Sequence, residues 1–216
     1  FKPPLKCRGG KTGDPNGVSK LMLVDDANDE LEELNTVMRH LDQIPNAHLY
    51  FLDGNTHLCD KVMPLSTKDK MDFDSKCTNF KSITSSNVNN KLDELAYISM
   101  PYGGSDMKEY WRNKWKNASD FVDTNNTLVR LLENAIIPLN NNKFYHTDIK
   151  AHNILRAVED GNVRCRLIDW GLAGERVNHY DFFKRFSHAV PQFNLPPSVL
   201  LLRRDVREWL APIFEK

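Results

Sequence analysis

Five polar residues in the middle of the sequence have the types and the spacing that phosphate chemistry requires. An H-x-D-x-K-x-x-N pattern comprises His146, Asp148, Lys150 and Asn153, and Asp169 follows after a further apolar segment. Transfer of a phosphoryl group needs a carboxylate near the attacking hydroxyl, a cation near the phosphate, and oxygen ligands for Mg²⁺. Asp148 can supply the carboxylate and Lys150 the cation. Because Asn153 and Asp169 can supply the metal ligands, the pattern indicates a site for phosphoryl transfer.

Two predicted strands adjoin these residues. The apolar stretches 153–157 and 163–168 are typical of short strands, and Glu159-Asp160-Gly161 between them is a turn signal. Each predicted strand is therefore flanked by residues of the candidate site.

The rest of the chain has a mixed pattern of helices and strands. We predict strands at Val18–Val24, His48–Leu52 and Glu94–Met100, and helices at Asp25–Leu41, Asp106–Trp115, Thr127–Leu139 and Val206–Phe214. The stretch 53–91 is rich in Ser, Thr, Asn and Lys, which predicts an inserted or partly mobile loop. Pro101-Tyr102-Gly103-Gly104 interrupts the chain after a strand and suits a hinge.

The H-x-D-x-K-x-x-N pattern, followed by Asp169-Trp170-Gly171, resembles the catalytic loop and the metal-binding turn of the protein-kinase superfamily. The resemblance implies a bilobal α+β fold that binds ATP and Mg²⁺. Residues 1–100 would form a small β-rich N-lobe with an insertion around 53–91, residues 101–105 the hinge, and 106–216 a mainly helical, partial C-lobe. It also implies that Asp148 accepts the proton of the substrate hydroxyl and that Lys150 neutralises the transferring phosphoryl group. Asn153 and Asp169 would hold Mg²⁺.

The same resemblance assigns nucleotide contacts in the first half of the chain. Lys20 would correspond to the strand lysine that binds the α- and β-phosphates, with Glu33 as its helix partner and Glu30 as the alternative. An ordinary surface lysine explains Lys20 equally well. The backbone of Met100 and Tyr102 would bind adenine. Asp106 would bind ribose, although an acid at the start of a helix is favourable without any function.

Two residues depart from the family pattern near the site. Thr147 stands where many protein kinases have an arginine that pairs with a phosphorylated activation loop, so we do not expect control through such a contact. Trp170 replaces the usual phenylalanine and predicts a fixed metal-site geometry.

Both ends of the sequence depart from the family as well. No G-x-G-x-x-G precedes Lys20, and no A-P-E follows Gly171. The segments Phe1–Cys7 and Phe193–Val199 resemble segments in protein kinases of large double-stranded DNA viruses. That resemblance implies a glycine-rich strand upstream of Phe1, a shortened C-lobe, a location in host cytoplasm or virion, and other virion proteins as partners.

Three functions remain open at this level. Lys150 and Gly171 favour a protein kinase that acts on Ser or Thr over a small-molecule kinase of the choline or aminoglycoside type, which shares the Asp-Trp ending. The third is a kinase-like module that binds without catalysis.

The charge balance and the spacing of the cysteines limit which partners and which cellular compartment we expect for this chain. The 29 basic and 29 acidic residues of the 216-residue chain cancel, so no overall field favours nucleic acid. No apolar run approaches the length of a membrane span. The four cysteines lie far apart without a C-x-x-C pair, which predicts neither a metal cage nor a disulfide framework and favours a reducing compartment such as the cytoplasm.

Overall fold

A computed structural model describes residues 1–2, 4–9, 16–52, 56–113, 115 and 117–175. Their contacts divide the chain into two units: Phe1–Met38 with Leu52–Gly103, and Arg39–Phe51 with the described part of the chain from Gly104 onward. Both units combine helices with small sheets. The predicted helix Val206–Phe214 and the segment Phe193–Val199 lie outside the described residues. Within the described ranges, no helix is long and apolar enough to cross a membrane.

The first unit contains a three-stranded antiparallel sheet in the order β1-β3-β2. Its strands are β1 (Val18–Leu23), β2 (His57–Cys59) and β3 (Leu95–Met100). The central strand β3 is almost fully buried, and its register pairs Val18 with Met100 and Leu23 with Leu95. The two long strands of this sheet were therefore predicted correctly from their apolar character.

Helix α1 (Val24–Leu41) follows β1 without a connecting loop. Asp25 and Asp26 lie in its first turn and Arg39 and His40 in its last, an arrangement that opposes the helix dipole favourably at both ends. The prediction of a helix at Asp25–Leu41 is confirmed.

The polar stretch after β2, which was predicted as part of an inserted or partly mobile loop, contains short helices between irregular segments. It contains α2 (Thr67–Lys70) and α3 (Phe73–Lys76), and the side chain of Ser66 caps α2 by accepting from the backbone N–H of Asp69. Its few apolar residues have no regular period, yet Phe73, Ile83 and Val88 are buried together with β3. Because these apolar residues are few and irregularly spaced, the sequence did not predict that they would be buried.

A disulfide joins Cys7 to Cys59, with their Cα atoms 5.9 Å apart. This corrects the expectation of no disulfide. The N-terminal segment runs antiparallel to the chain after β2, where Cys7 forms a bridge with Val62. Because 52 residues separate the two cysteines in sequence, their spacing could not reveal that the backbone brings them together.

The second unit is built on a β-hairpin and helices. Its strands are β4 (Ser105–Asp106), β5 (Phe144–Tyr145), β6 (Ile154–Glu159), β7 (Asn162–Leu167) and β8 (Gly174–Glu175). They form a β4-β6-β7 sheet and a β5-β8 pair, both antiparallel. The prediction of a strand at residues 48–52 is wrong. Ala47–Leu49 is a 3₁₀ turn that follows Asn46, whose backbone is in the left-handed region, and Phe51 forms only an isolated bridge with Leu167.

Three helices complete this unit: α4 (Met107–Asn113), α5 (Ala118–Leu131) and α6 (Ile137–Asn141). The helix predicted from Thr127 begins nine residues earlier, because the side chain of Asn117 accepts from the N–H of Asp120 and caps α5. A π-helical segment, Leu132–Ile136, connects α5 to α6, where Pro138 lacks the N–H that a continuous α-helix would use.

Candidate functional site

The turn of the β6–β7 hairpin determines which site residues meet. Asp160 (φ 50°) and Gly161 (φ 76°) form a two-residue turn with both φ angles positive, the geometry that a tight hairpin favours. The register pairs Ile154 with Leu167, and one step further the N–H of Ile168 donates to the carbonyl of Asn153 at 2.9 Å. Asn153 and Asp169 therefore lie at the same open end of the hairpin.

Asp148, Lys150 and Asn153 form one hydrogen-bonded group. The Lys150 ammonium donates to Asp148 Oδ2 at 2.6 Å, and Asn153 Nδ2 donates to the same oxygen at 2.9 Å. Asp148 and Asn153 are buried, whereas a third of the Lys150 side chain is exposed. The structure thus brings the predicted base, cation and one metal ligand into direct contact.

Asn153 has a fixed orientation within this group. Its Nδ2 donates to the backbone carbonyl of Asp148 at 3.0 Å as well as to the carboxylate. Since both partners are acceptors, the amide nitrogen must face them, and Oδ1 is the atom left to meet a ligand.

His146 is held in a single protonation state by its neighbours. Its Nδ1 accepts from the backbone N–H of Asp148 at 3.3 Å, so the proton of the neutral ring lies on Nε2, which donates to the carbonyl of Ile168 at 2.9 Å. Burial lowers the pKa of His146 below its ordinary value, in agreement with a neutral ring. His146 therefore ties the loop that carries Asp148 to the loop that carries Asp169.

Trp170, next to Asp169, packs among aromatic rings. Its ring centroid lies 4.6 Å from that of His146, 5.4 Å from that of Phe51 and 6.3 Å from that of Phe144. Asp169 itself is exposed, whereas Trp170 is partly buried.

Oxygen chemistry at the open end of the hairpin suits Mg²⁺. The described residues contain no cluster of three or more His, Cys, Asp or Glu side chains that could hold a metal by themselves. Mg²⁺ commonly takes only one or two protein oxygens and completes its shell with phosphates and water. The amide oxygen of Asn153 and the carboxylate of Asp169 fit that requirement.

Asp106 plays a structural part that explains its presence. Its Oδ1 accepts from the N–H of Glu109 at 2.9 Å at the start of α4, and it lies 3.7 Å from His152 Nδ1. The Lys108 ammonium lies 2.8 Å from the other ring nitrogen of His152. The sequence analysis did not identify His152 and Lys108 as neighbours of Asp106. The only sequence indication was that His152 lies between two candidate site residues, Lys150 and Asn153.

Lys20 pairs with Glu30 rather than with the favoured Glu33. Lys20 Nζ and Glu30 Oε2 lie 2.5 Å apart. Lys20 is three residues, or about 10 Å, before the end of β1, and Glu30 is six residues, or about 9 Å, after the start of α1. Glu33 would be about 13 Å along the helix. Because no loop separates β1 from α1, Glu30 is level with Lys20.

A cavity of about 480 Å³ adjoins the Lys20–Glu30 pair in the first unit. Its lining includes Lys20, one acidic face of α1, the last residue of α3 and part of the segment after it: Asp26, Asp29, Glu30, Glu33, Lys76, Cys77 and Phe80. Like-charge repulsion makes this acidic lining unfavourable for a triphosphate.

The predicted adenine contacts also belong to the first unit. Met100 is the last residue of β3, and the exposed ring of Tyr102 lies beneath the Lys2 ammonium, 3.2 Å from the ring centroid. Asp106 and the group around Asp148 belong to the second unit.

Comparison with known proteins leaves the family unassigned. No protein-family model and no curated protein matches the sequence. Among solved structures, a chain of the yeast RNA Pol II CTD kinase CTDK-1 complex is similar, with 24% identity and a TM-score of 0.41 over 50% of this chain and 33% of that chain. This chain thus matches about a third of that chain's length. The resemblance to viral kinases stays a prediction.

Proposed function

We propose that this chain has a protein-kinase-like fold and transfers a phosphoryl group from ATP, with Mg²⁺, to Ser or Thr hydroxyls of protein substrates. The proposal depends chiefly on one observation: a buried carboxylate, an ammonium and an oriented amide, from Asp148, Lys150 and Asn153, are hydrogen-bonded beside the exposed Asp169. Phosphoryl transfer needs these groups for positioning and charge stabilisation.

Asp148 is suited to orient the incoming hydroxyl. Its carboxylate is held by the Lys150 ammonium and the Asn153 amide, so its direction is set before a substrate arrives. In the proposed reaction it accepts the hydroxyl proton while the hydroxyl oxygen bonds to the γ-phosphorus of ATP and the bond from that phosphorus to the β–γ bridging oxygen breaks, which releases ADP.

Lys150 is suited to neutralise the transferring group. An ammonium has three N–H donors, and within the described residues Lys150 uses one, to Asp148. Since its side chain is partly exposed, the others can reach phosphate oxygens.

Asn153 Oδ1 and the Asp169 carboxylate would hold the metal. Mg²⁺ bound there would neutralise charge on the phosphate oxygens. These two residues keep their places through the hairpin register and the bond between Ile168 and Asn153.

Nucleotide contacts in the first unit form the second part of the proposal. Lys20, held by Glu30, would bind the phosphates, and the backbone of Met100 and Tyr102 would bind adenine. Asp106 would contact ribose only with those carboxylate lone pairs that do not cap α4.

The test compares Asp148→Asn with Asp160→Asn, a change in an exposed turn. Transfer of ³²P from ATP to a mixed protein substrate should fall by about 10³-fold or more in the first variant and stay unchanged in the second. Thermal-shift titration with ATP and Mg²⁺ should show that both variants bind nucleotide. Full transfer by Asp148→Asn would overturn the proposal, and wild-type binding without any transfer would instead favour a non-catalytic module. Transfer to choline or an aminoglycoside and not to protein would favour a small-molecule kinase.

A further inference from the structure

Thr147 occupies a backbone conformation that β-branched residues rarely adopt. It lies between His146 and Asp148 with φ at 60°, in the left-handed region. There the Cβ of a threonine is crowded by backbone, and such residues persist only where surrounding contacts hold them. A contact that compensates for this conformation is therefore expected.

The hydroxyl of Thr147 makes that contact. Its Oγ1 donates to the carbonyl of Leu172 at 2.5 Å. The β5–β8 register pairs Tyr145 with Gly174, and continued by two residues it places Thr147 opposite Leu172. Because the left-handed turn ends the backbone pairing, the side chain supplies the next link between the two segments.

The Thr147–Leu172 hydrogen bond fixes the C-terminal end of the loop that carries Asp169. At the first end, Ile168 is bonded to Asn153 through the backbone N–H and to His146 through the carbonyl. At the second end Thr147 holds Leu172, and the N–H of Ala173, the next residue, donates to the Trp170 carbonyl within the loop at 2.7 Å. Asp169 itself has a φ of 65°, so its direction depends on both ends being fixed.

We infer that Thr147 is a positioning residue for Asp169: its hydroxyl fixes the far end of the loop 168–172 and so fixes the carboxylate proposed to bind Mg²⁺. The contact lies within the chain and needs no added phosphate, in contrast to an arginine that must find a phosphorylated residue. The metal role of Asp169 rests on the proposed function, whereas the tie between Thr147 and Leu172 does not.

Thr147→Val isolates the hydroxyl, because valine keeps the branched Cβ and hence the same strain at φ 60°. Amide hydrogen exchange at Ala173 and the ¹⁵N–¹H signal of the Trp170 indole measure the order of the loop directly. We expect faster exchange and a shifted indole signal in Thr147→Val, and wild-type values in Thr147→Ser. Thr127→Val is the control, since Thr127 donates to a helix carbonyl on an exposed face.

The functional readout is the Mg²⁺ dependence of transfer. Loss of one hydrogen bond should raise the Mg²⁺ concentration for half-maximal rate by about three- to tenfold in Thr147→Val, with the KM for protein substrate unchanged. Thr147→Ser should restore it, and phosphatase treatment of the wild type should leave it unchanged.

Thr147→Gly guards against a valine variant that does not fold, because glycine accepts φ 60° without strain and also lacks the hydroxyl. Unchanged exchange at Ala173 in folded Thr147→Val or Thr147→Gly would overturn the inference. So would loss of rate after phosphatase treatment, or unchanged Mg²⁺ dependence in an active Thr147→Val. Failure of the proposed function looks different: the wild type would not transfer phosphate, whether or not it binds ATP and Mg²⁺, while exchange at Ala173 would still report on the contact between Thr147 and Leu172.

Discussion

The side-chain amide of Asn153 donates both of its hydrogens to Asp148, one to the backbone carbonyl at 3.0 Å and one to Oδ2 at 2.9 Å. This relationship couples the proposed metal ligand to the proposed base. Both residues are buried, so neither group can exchange its partner for water without disturbing the loop.

Replacing Asn153 by Asp should therefore be costly at neutral pH. A second carboxylate about 3 Å from Asp148 can donate nothing and repels the first, so we expect a loss of about 3 kcal/mol in the free energy of unfolding at pH 7. The loss should shrink at pH 5, where one of the two acids can take up a proton. Urea unfolding at both pH values measures this, and the exposed Asn162→Asp is the control. Wild-type stability of Asn153→Asp at pH 7 would contradict the buried contact.

Glu30 and Glu33 can be separated by nucleotide binding. The Lys20–Glu30 pair is too exposed to contribute much to stability, so Glu30→Gln should unfold with nearly wild-type free energy. If Glu30 aligns Lys20 for phosphate binding, Glu30→Gln should weaken ATP–Mg²⁺ binding by about tenfold. Lys20→Met should weaken binding at least as much, whereas Glu33→Gln should weaken it far less. Isothermal titration calorimetry checks this order, and a larger effect of Glu33→Gln would restore the original expectation.

Gly104 and Gly161 both have positive φ, yet only one of them is enclosed. A Cβ at Gly104 would lie 2.0 Å from the backbone oxygen of Arg156 in the central strand β6, whereas a Cβ at Gly161 would meet nothing within 4 Å. We expect Gly104→Ala to cost more than about 3 kcal/mol and Gly161→Ala about 1 kcal/mol. Chemical denaturation of the two variants measures the difference, and equal costs would show that β6 can move away.

The Cys7–Cys59 disulfide should stabilise the first unit. Closing a loop with a sequence separation of 52 restricts the unfolded chain by up to about 4 kcal/mol on the chain-entropy account. Thiol reduction should lower the free energy of unfolding of the wild type by that amount at most. The free energy of unfolding of Cys7→Ser should be lower than that of the wild type without reductant and should not change when reductant is added. A response of Cys7→Ser equal to that of the wild type would mean that the reductant acts elsewhere.

Acid should remove the contribution of the Glu159–Arg166 pair. Hydrogen bonds from Arg166 hold the pKa of Glu159 below its ordinary value of 4.5. A carboxyl group with a lowered folded pKa stabilises the protein above pH 4.5, and this contribution is lost as the pH falls through the folded pKa. Glu159 is partly exposed, so Glu159→Gln should lower Tm at pH 7 by only about 2 °C. The gap in Tm between the two proteins should narrow as the pH falls below 4.5, and a gap that widens in acid would contradict this sign.

Local patterns predicted the parts of the molecule in which neighbours in sequence decide the backbone. Apolar character located β1 and β3, helical spacing located α1, and Asp160-Gly161 located the turn of the hairpin. The spacing of Asp148, Lys150 and Asn153 was enough to predict a common site, because all three lie on a single short loop.

The tertiary structure decided every choice between partners that are distant in sequence. It paired Cys7 with Cys59, selected Glu30 over Glu33, and buried Phe73 and Val88 in a stretch whose composition indicates a loop. It also placed Thr147 opposite Leu172, a contact that the spacing of residues in the sequence does not predict. The reason is physical: periodicity and turn chemistry report backbone torsions over a few residues, whereas a disulfide, an ion pair or a side-chain tie depends on a distance in space, which is set only when the elements pack.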